Sequence, residues 1–198
     1  SPDNRPYTPA RHFEICTDGV KEGDFTMIYG FPGNTQEYIT SDAVRYVAEV
    51  SDPTKIALRD KRLDIIGSAQ ATSPKIRLQY AAKHASIANA WKKWQGEVLG
   101  INRLGTLSKK LAYEERFCRE NPSKSYILDS LAAAYERNIE GYYNYELYNE
   151  TLRGIELQQV VSIARSPRLD DAQRAAAIDL FYKDFVMDVD RALAVAML

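Results

Sequence analysis

Few side chains in this sequence of 198 residues could perform covalent chemistry. There are two histidines, His12 and His84, and two cysteines, Cys16 and Cys118. No G-x-S-x-G motif frames a serine, and Ser68 falls inside a helix-like pattern. Neither H-E-x-x-H nor C-x-x-C occurs, so the usual spacings of metal ligands are missing. We therefore expect no catalytic residue, no metal site and no cofactor site in this chain.

Each of the groups that could mislead has a simpler structural interpretation. His84 falls on the apolar stripe of a predicted helix, which favours a hydrogen-bonded core or boundary residue, and His12 is expected on the surface. The glycine-rich residues 30–33 lack the Lys-Ser/Thr of a phosphate-binding loop, so a structural turn is favoured over a nucleotide site. Contact of that turn with a substrate stays open as an alternative. The pairs Glu114-Glu115 and Asp170-Asp171 are interpreted as a solvated face and a helix start.

The tyrosines of the second half form the most suggestive cluster. Six of them fall within one predicted helical stretch: Tyr126, Tyr135, Tyr142, Tyr143, Tyr145 and Tyr148. Packing at a helix interface, with each hydroxyl reaching water or a partner, is the favoured interpretation. A surface that faces a ligand or a partner protein remains the alternative, because tyrosine is enriched at such surfaces.

Composition and charge exclude several classes of partner. Lys and Arg total 26 against 27 Asp and Glu, a formal net charge of -1, so no basic surface for nucleic acid or an anionic membrane is expected. No apolar run approaches the roughly 20 residues of a membrane-spanning helix. The 45% apolar and 27% charged residues are typical of a globular protein with a sizeable core.

The first 40 residues carry the pattern of short β-strands separated by turns. Alternating apolar and polar residues predict a strand at 13–16, and β-prone runs predict two more at 25–29 and 36–40. Turn signals separate them at 18–19 and 21–24. Because three short strands do not make a stable sheet alone, this segment is expected to pack against another part of the protein.

From Ser41 onward the apolar residues follow the 3.6-residue period of helices. Helix starts are predicted at Asp52-Pro53, where Asp52 would cap free backbone amides, at Ser73-Pro74 and at Asp170-Asp171. These patterns predict five or six helices. The predicted fold class is therefore mainly α, a helical bundle preceded by a short β segment. The predicted domains are residues 1–40 and 41–198.

Helix ends are predicted from proline and glycine. Asn121-Pro122 and Ser166-Pro167 interrupt the helical pattern. Residues 126–164 are predicted as one long helix with bends at Gly141 and Gly154. The last residues are strong helix formers without a stop signal. We therefore expect the helical domain to be incomplete at its C-terminus and the chain to be a piece of a longer protein.

The order of elements in the β segment resembles part of a trypsin-like protease. The segment is similar to high-temperature-requirement proteases, in which a V-x-x-G-D turn is followed by a strand and then by G-x-P-x-G. Here the first turn is at residues 20–24, and Gly30-Phe31-Pro32-Gly33 follows the strand. The stretch 23–35 resembles bacterial serine dipeptidyl aminopeptidases of the dipeptidyl-peptidase VII/XI type more closely. Further similar stretches are residues 3–7, 51–53, 61–63, 79–83, 87–94, 181–185 and 190–191. The resemblance spans nearly the whole chain.

This resemblance implies a fold and an activity for the parent protein. The family has a chymotrypsin-like double β-barrel, interrupted by a helical domain that covers the catalytic cleft, and releases dipeptides from peptide N-termini with Ser, His and Asp. It implies that residues 1–40 belong to the first barrel and residues 41–198 to the helical cap. The histidine and aspartate would precede Ser1, and the serine would follow Leu198. Asp24 is assigned to a hairpin turn, not to the triad.

Two hypotheses of different classes follow. In the first, the chain is the helical cap of a serine dipeptidyl peptidase, inactive alone, whose partners are peptide substrates and the rest of the parent. The resemblance implies the periplasm or cell surface of a Gram-negative bacterium, and it leaves a homodimer and the peptide-end preference open. In the second, the chain is a non-enzymatic helical interaction module that docks through residues 126–148. A glycine-flanked serine encoded downstream of Leu198 would decide for the first.

Overall fold

A computed structural model describes residues 5–27, 29–30 and 33–198 of the chain. The chain divides into two units, Ser1–Glu37 and Tyr38–Leu198. The predicted turn at residues 30–33 and the middle of the strand at 25–29 lie partly outside the described residues. The predicted domain boundary after residue 40 stays a prediction.

The β prediction for the first unit is not confirmed, because its described residues contain no strand. Their apolar side chains are exposed, Phe13 completely and Ile15 to 90%. Short strands are stable only where neighbouring strands satisfy their backbone groups and a second layer covers one face. The turn at residues 21–24 is present: the Asp24 amide donates to the Lys21 carbonyl at 3.1 Å, and Gly23 adopts a φ of 93°.

The described residues of the second unit are helical. Its α-helices are α1 (Ser41–Tyr46), α2 (Asp52–Thr72), α3 (Pro74–Arg103), α4 (Thr106–Glu120), α5 (Tyr126–Glu150), α6 (Leu157–Ala164), α7 (Asp171–Lys183) and α8 (Met187–Met197). Short 3₁₀ turns stand at Pro122–Lys124 and Leu152–Gly154. A π-helical turn, Val47–Ser51, joins α1 to α2. The mainly α class is thereby confirmed.

More helices are present than the five or six predicted, because two predicted stretches are divided. Residues 126–164 form α5 and α6, which are separated by the 3₁₀ turn that ends at Gly154. The helical stretch that starts at Asp170-Asp171 is divided into α7 and α8. Counting α1, the π turn and α2 as one continuous helix, the described residues form seven helices. Periodicity alone did not show these breaks, since apolar residues continue across them.

Two of the predicted helix starts are confirmed together with their caps, whereas α2 begins at Asp52 without the predicted cap. The Ser73 hydroxyl accepts the Lys75 amide at 3.2 Å in front of α3, and Asp170 forms a capping box with Gln173 at the start of α7. The Asp52 side chain caps no backbone amide. The π turn precedes it, so Asp52 already has helical backbone angles and does not lie at a free helix N-terminus. The π turn also changes the hydrogen-bond register where Pro53 lacks its N–H.

The core of the helical unit lies where α2, α3 and α8 meet. Only Ser73 connects α2 to α3, so the two helices run antiparallel and share the largest helix interface in the unit. The core residues in this region are Ile66, Tyr80, Ile87, Val189 and Leu193. This three-helix core supports the remaining helices.

Candidate functional site

The residues that were considered for catalysis differ in solvent exposure and in the unit to which they belong. His12 and Cys16 are exposed in the first unit, whereas His84 and Cys118 are half-buried in the helical unit. Ser68 is exposed on α2. Within residues 5–27, 29–30 and 33–198, no group of three or more His, Cys, Asp or Glu side chains could hold a metal ion. The same residues include no helix both long and apolar enough to cross a membrane.

The most strongly organised polar feature is a charge network between α2 and α5. Its residues are Asp52, Lys55, Arg59, Arg62, Glu146 and Glu150. Glu150 accepts two parallel hydrogen bonds of 2.8 Å from Arg59 Nε and Nη2, and Arg62 Nη1 lies 3.8 Å from its Oε2. The three side chains are only 9 to 16% exposed. A bidentate pair at this depth fixes the relative position of the two helices.

Trp94 of α3 joins this network through its ring. Lys55 Nζ lies 4.5 Å and Arg59 Cζ 4.4 Å from the ring centroid. Arg59 Nη1 also donates to the carbonyl oxygen of Ile87 at 3.1 Å. These cation–π contacts and the hydrogen bond tie α2, α3 and α5 into one rigid framework.

Glu146 connects the π turn to the same network. Its two carboxylate oxygens accept hydrogen bonds from Tyr46 Oη at 2.7 Å and Ser51 Oγ at 2.6 Å, and Lys55 Nζ lies 3.6 Å away. Burial and the adjacent Glu146 carboxylate raise the pKa of Tyr46. Tyr46 therefore stays a neutral hydrogen-bond donor, and the π turn presents two hydroxyls to one carboxylate.

Asp52 is the buried carboxylate of the network that has one oxygen without a hydrogen-bond partner among the described residues. Its side chain is 2% exposed, Oδ1 lies 2.9 Å from Lys55 Nζ, and Oδ2 has no hydrogen-bond partner among the described residues. Burial raises the pKa of the carboxyl group, and Lys55 opposes this only in part. The folded state thus favours the protonated acid more than the unfolded state does.

We expect this burial to make stability depend on pH. A raised folded-state pKa stabilises the fold below the ordinary value near 4, and that stabilisation is lost as pH rises through the raised pKa. The free energy of unfolding of the wild type, relative to that of Asp52→Asn, should therefore fall as the pH rises above about 4. Urea titrations followed by circular dichroism would measure it. Asp64→Asn, exposed on the same helix, controls for losing one carboxylate. If the free energy of unfolding of the wild type minus that of Asp52→Asn stayed constant or grew with pH, the expectation would be contradicted.

The structure divides the tyrosine cluster instead of gathering it on one surface. Tyr126, Tyr142, Tyr145 and Tyr148 are 47 to 64% exposed along α5. Tyr135 is half-buried, lines a cavity of about 560 Å³ together with Tyr46, and has its ring 6.0 Å from that of Tyr142. Helix-interface packing accounts for Tyr135, while the four exposed rings are available to a partner.

Two carboxylates cap helices that are distant in sequence, and neither cap was predicted from the sequence. Glu114 of α4 accepts the Ser41 amide at 2.7 Å and the Ser41 hydroxyl at 2.5 Å, which caps α1. Asp190 of α8 accepts the amides of Glu156 and Leu157 at 2.6 and 3.0 Å, which caps α6. Glu114 therefore does not simply belong to a solvated face. No local signal could reveal these caps, since the partners are 33 or more residues apart.

The contacts of this arrangement hold helices together. Its carboxylates are engaged by cations, hydroxyls or helix N-termini, and its tyrosines are neutral donors or exposed rings. Such a framework can hold a rigid surface in position, and it can keep α1, α2, α3 and α5 together if that surface moves.

Comparison with known proteins places the chain among peptidases. The family model described as Peptidase S46 matches residues 1–181. An Asp/Glu-specific dipeptidyl-peptidase of Capnocytophaga gingivalis is 44% identical over 117 residues, which are 59% of this chain and 16% of that protein. Dipeptidyl-peptidase 7 of Porphyromonas gingivalis is 31% identical over 208 residues, which are 100% of this chain and 29% of that protein.

A solved structure matches the whole chain. The crystal structure of Porphyromonas endodontalis DPP11 in complex with dipeptide Arg-Glu has a TM-score of 0.74 and 30% sequence identity, and the match covers 100% of this chain and 31% of that one. The chain thus spans less than a third of the length of these relatives.

Proposed function

The chain belongs to the peptidase S46 family, and from this we propose that it forms the helical cap of a serine-type dipeptidyl peptidase. In this proposal the parent enzyme removes dipeptides from the N-termini of peptides. The catalytic serine, histidine and aspartate belong to other parts of the parent, as does the pocket that selects the peptide end. The parent acts in the periplasm or at the cell surface of a Gram-negative bacterium.

The similarity to DPP11 is the observation that carries this proposal. It extends over 100% of this chain at 30% identity, and that relative is in complex with the dipeptide Arg-Glu. Two further relatives, one named as Asp/Glu-specific dipeptidyl-peptidase and one as dipeptidyl-peptidase 7, differ in name but share the dipeptidyl-peptidase activity. The common activity is therefore proposed for the parent, while its side-chain preference is left open.

A helical cap contributes to such a reaction by restricting access and by positioning the substrate. When a cap covers the cleft, only a free chain end reaches the nucleophile, and water is excluded from the reacting bond. The α2–α5 charge network supports this role, because it joins four helices into a body that can move without deforming. The parent's serine would attack the carbonyl carbon with histidine as the base and aspartate as its orienting partner.

The proposal predicts activity in the parent and none in the chain alone. We expect the full-length product of the reading frame that encodes this chain to hydrolyse chromogenic dipeptidyl substrates and to react with a fluorophosphonate probe for active serines. The 198-residue chain, purified alone, should show no turnover above the uncatalysed rate, because it lacks the nucleophile. Circular dichroism would establish that the chain is helical in the same preparation.

Two outcomes would contradict the proposal. Serine-dependent turnover by the chain alone would show that the triad has been assigned to the wrong part of the parent. A full-length product without peptidase activity or probe reaction would favour the interaction module instead, for which the four exposed tyrosines of α5 are the supporting observation. In that case, the tyrosines become the first residues to substitute in binding experiments.

A further inference from the structure

A cavity of about 570 Å³ lies within the helical unit beside the α2–α5 charge network, whose Arg62 is one of its lining residues. Residues of α2, α3, α6, α7 and α8 line it, together with the 3₁₀ turn Leu152–Gly154. Its volume falls in the range of about 300–1,000 Å³ that is typical of small-molecule sites. The cavity is therefore large enough for a ligand with both an apolar and a polar part.

One side of the cavity is apolar. Ile66, Ile87 and Leu193, which belong to the core of the unit, form its floor. Leu180 and Phe181 of α7 also line the cavity, and Leu180 is 63% exposed. Ile66, Ile87 and Leu193 are already buried, so an aliphatic ligand would gain burial mainly against Leu180 and Phe181, and that burial would favour binding.

The other side of the cavity carries cations, of which Arg62 is the most distinctive. Glu150 is engaged in two parallel hydrogen bonds by Arg59, so Arg62 reaches it only at 3.8 Å. Arg62 Nε is buried and has no hydrogen-bond partner in the part of the chain that the structure describes. Nε is enclosed, so a ligand oxygen would meet the terminal nitrogens of Arg62, which donate no hydrogen bond among the described residues and lie no closer to Glu150 than 3.8 Å.

The turn above Arg62 leaves little room for the guanidinium to move. A Cβ built on Gly154 would lie 3.0 Å from Arg62 Cζ, so the glycine lets the backbone pass close to the guanidinium. The other two cations of the lining are already engaged. Lys83 Nζ contacts Glu156 Oε2 at 2.5 Å and the Asp184 carbonyl at 2.6 Å, and Arg153 Nη1 donates to Asn149 at 3.0 Å.

The charges around the cavity sum to one excess positive charge. The cations are Arg59, Arg62, Lys83 and Arg153, and the anions are Glu150, Glu156 and Asp184, so four against three leaves +1. Asp184 is the one lining carboxylate without an ion-pair partner among those described, and it would repel an anion placed beside it. An anionic group is therefore favoured at Arg62, and guanidinium geometry suits a planar carboxylate.

We infer that this cavity binds a carboxylate with an apolar body, the carboxylate on Arg62 and the aliphatic part against Leu180 and Phe181. A fatty acid and the C-terminal residue of a peptide share this chemistry. The inference rests on the cavity alone and not on the proposed peptidase function. It adds a ligand site inside the helical unit.

Isothermal titration calorimetry on the 198-residue chain would test the site with four probes. Octanoate and N-acetyl-leucine carry the carboxylate, and octanol and N-acetyl-leucine amide are their neutral counterparts. We expect at least one acid to bind about tenfold tighter than its neutral counterpart, as a charge-assisted hydrogen bond implies. Octanoate binding would indicate a lipid-type ligand and N-acetyl-leucine binding a peptide-type ligand.

Substitutions locate the binding within the cavity. Arg62→Gln should remove the preference for the acid, while Arg153→Gln, the same change at an exposed position of the same lining, should alter affinity less than about threefold. Ala177→Phe, which adds a large side chain to the cavity lining from α7, should weaken both the acid and the neutral probe of the pair that binds. Ala177→Phe still tests whether the probes bind in this cavity if Arg62→Gln does not fold. Equal affinity for acid and neutral probe, no binding at millimolar concentration, or wild-type affinity in Ala177→Phe would overturn the inference.

Discussion

Replacing Glu150 by glutamine is expected to lower the free energy of unfolding of the chain by about 3 kcal/mol. Glu150 is the only carboxylate within 4.0 Å of both Arg59 and Arg62 among the described residues. Glutamine keeps the size and one acceptor oxygen, but it leaves two largely buried guanidinium groups without a counter-charge. Urea denaturation monitored by far-ultraviolet circular dichroism would measure the loss as a lower midpoint at an unchanged slope.

The matched control is Glu97→Gln on α3. Glu97 pairs with Lys93 at 2.8 Å, one turn away on the surface of the same helix, where Lys93 is 62% exposed. Because exposed pairs of this kind contribute little, we expect a change below about 0.5 kcal/mol. Losses of similar size in the two variants would contradict the view that the α2–α5 charge network holds the helical unit together.

Replacing Tyr80 by alanine is expected to cost about 3–5 kcal/mol, the range for deleting a buried aromatic side chain. Tyr80 is 0% exposed and packs with Ile66, Ile87, Val189 and Leu193 in the core. Lys83 Nζ also lies 4.2 Å from the ring centroid and loses this contact in the variant. Thermal and urea unfolding of the purified variant would both report the loss.

Two further variants separate the causes at Tyr80. Burial and the nearby Glu156 carboxylate raise the pKa of the Tyr80 phenol, so the hydroxyl stays neutral, and Tyr80→Phe removes it while the ring remains. We expect Tyr80→Phe to retain most of the stability. Tyr145→Ala, which deletes a 63% exposed ring on α5, should cost less than about 1 kcal/mol. A loss in Tyr80→Phe equal to that in Tyr80→Ala would show that the hydroxyl, and not the ring, carries the stability.

Local sequence signals were sufficient for elements that are stabilised within a few residues. The Ser73 hydroxyl and the Lys75 amide are two residues apart, and the Asp170–Gln173 capping box spans three. Both starts were therefore readable from residue type and spacing. The turn at 21–24 was readable for the same reason, because the Lys21 amide reaches Asp24 Oδ2 at 2.8 Å within the turn itself.

The predicted strands and the predicted Asp52 cap depended on partners that spacing cannot reveal. Strands at 13–16 and 36–40 need neighbouring strands, and the described residues of the chain provide none. Asp52-Pro53 carries a correct helix-start signal, yet the preceding residues are held in a π turn through Ser51 and Tyr46, whose hydroxyls bind Glu146. That contact joins residues 95 and 100 positions apart, so it overrides the local preference.

The sequence by itself determined the mainly helical character, most helix starts, the resemblance to dipeptidyl peptidases and the lack of familiar catalytic spacings. Only the tertiary structure decided which carboxylates meet which cations. Glu150 pairs with Arg59 across 91 residues, and Asp190 caps α6 across 34. The cavity in which Arg62 lies beside both charged and apolar side chains could likewise not be predicted from the sequence. The physical reason is that a helix start depends on backbone groups a few residues away, whereas ion pairs and cavities arise only when distant helices pack.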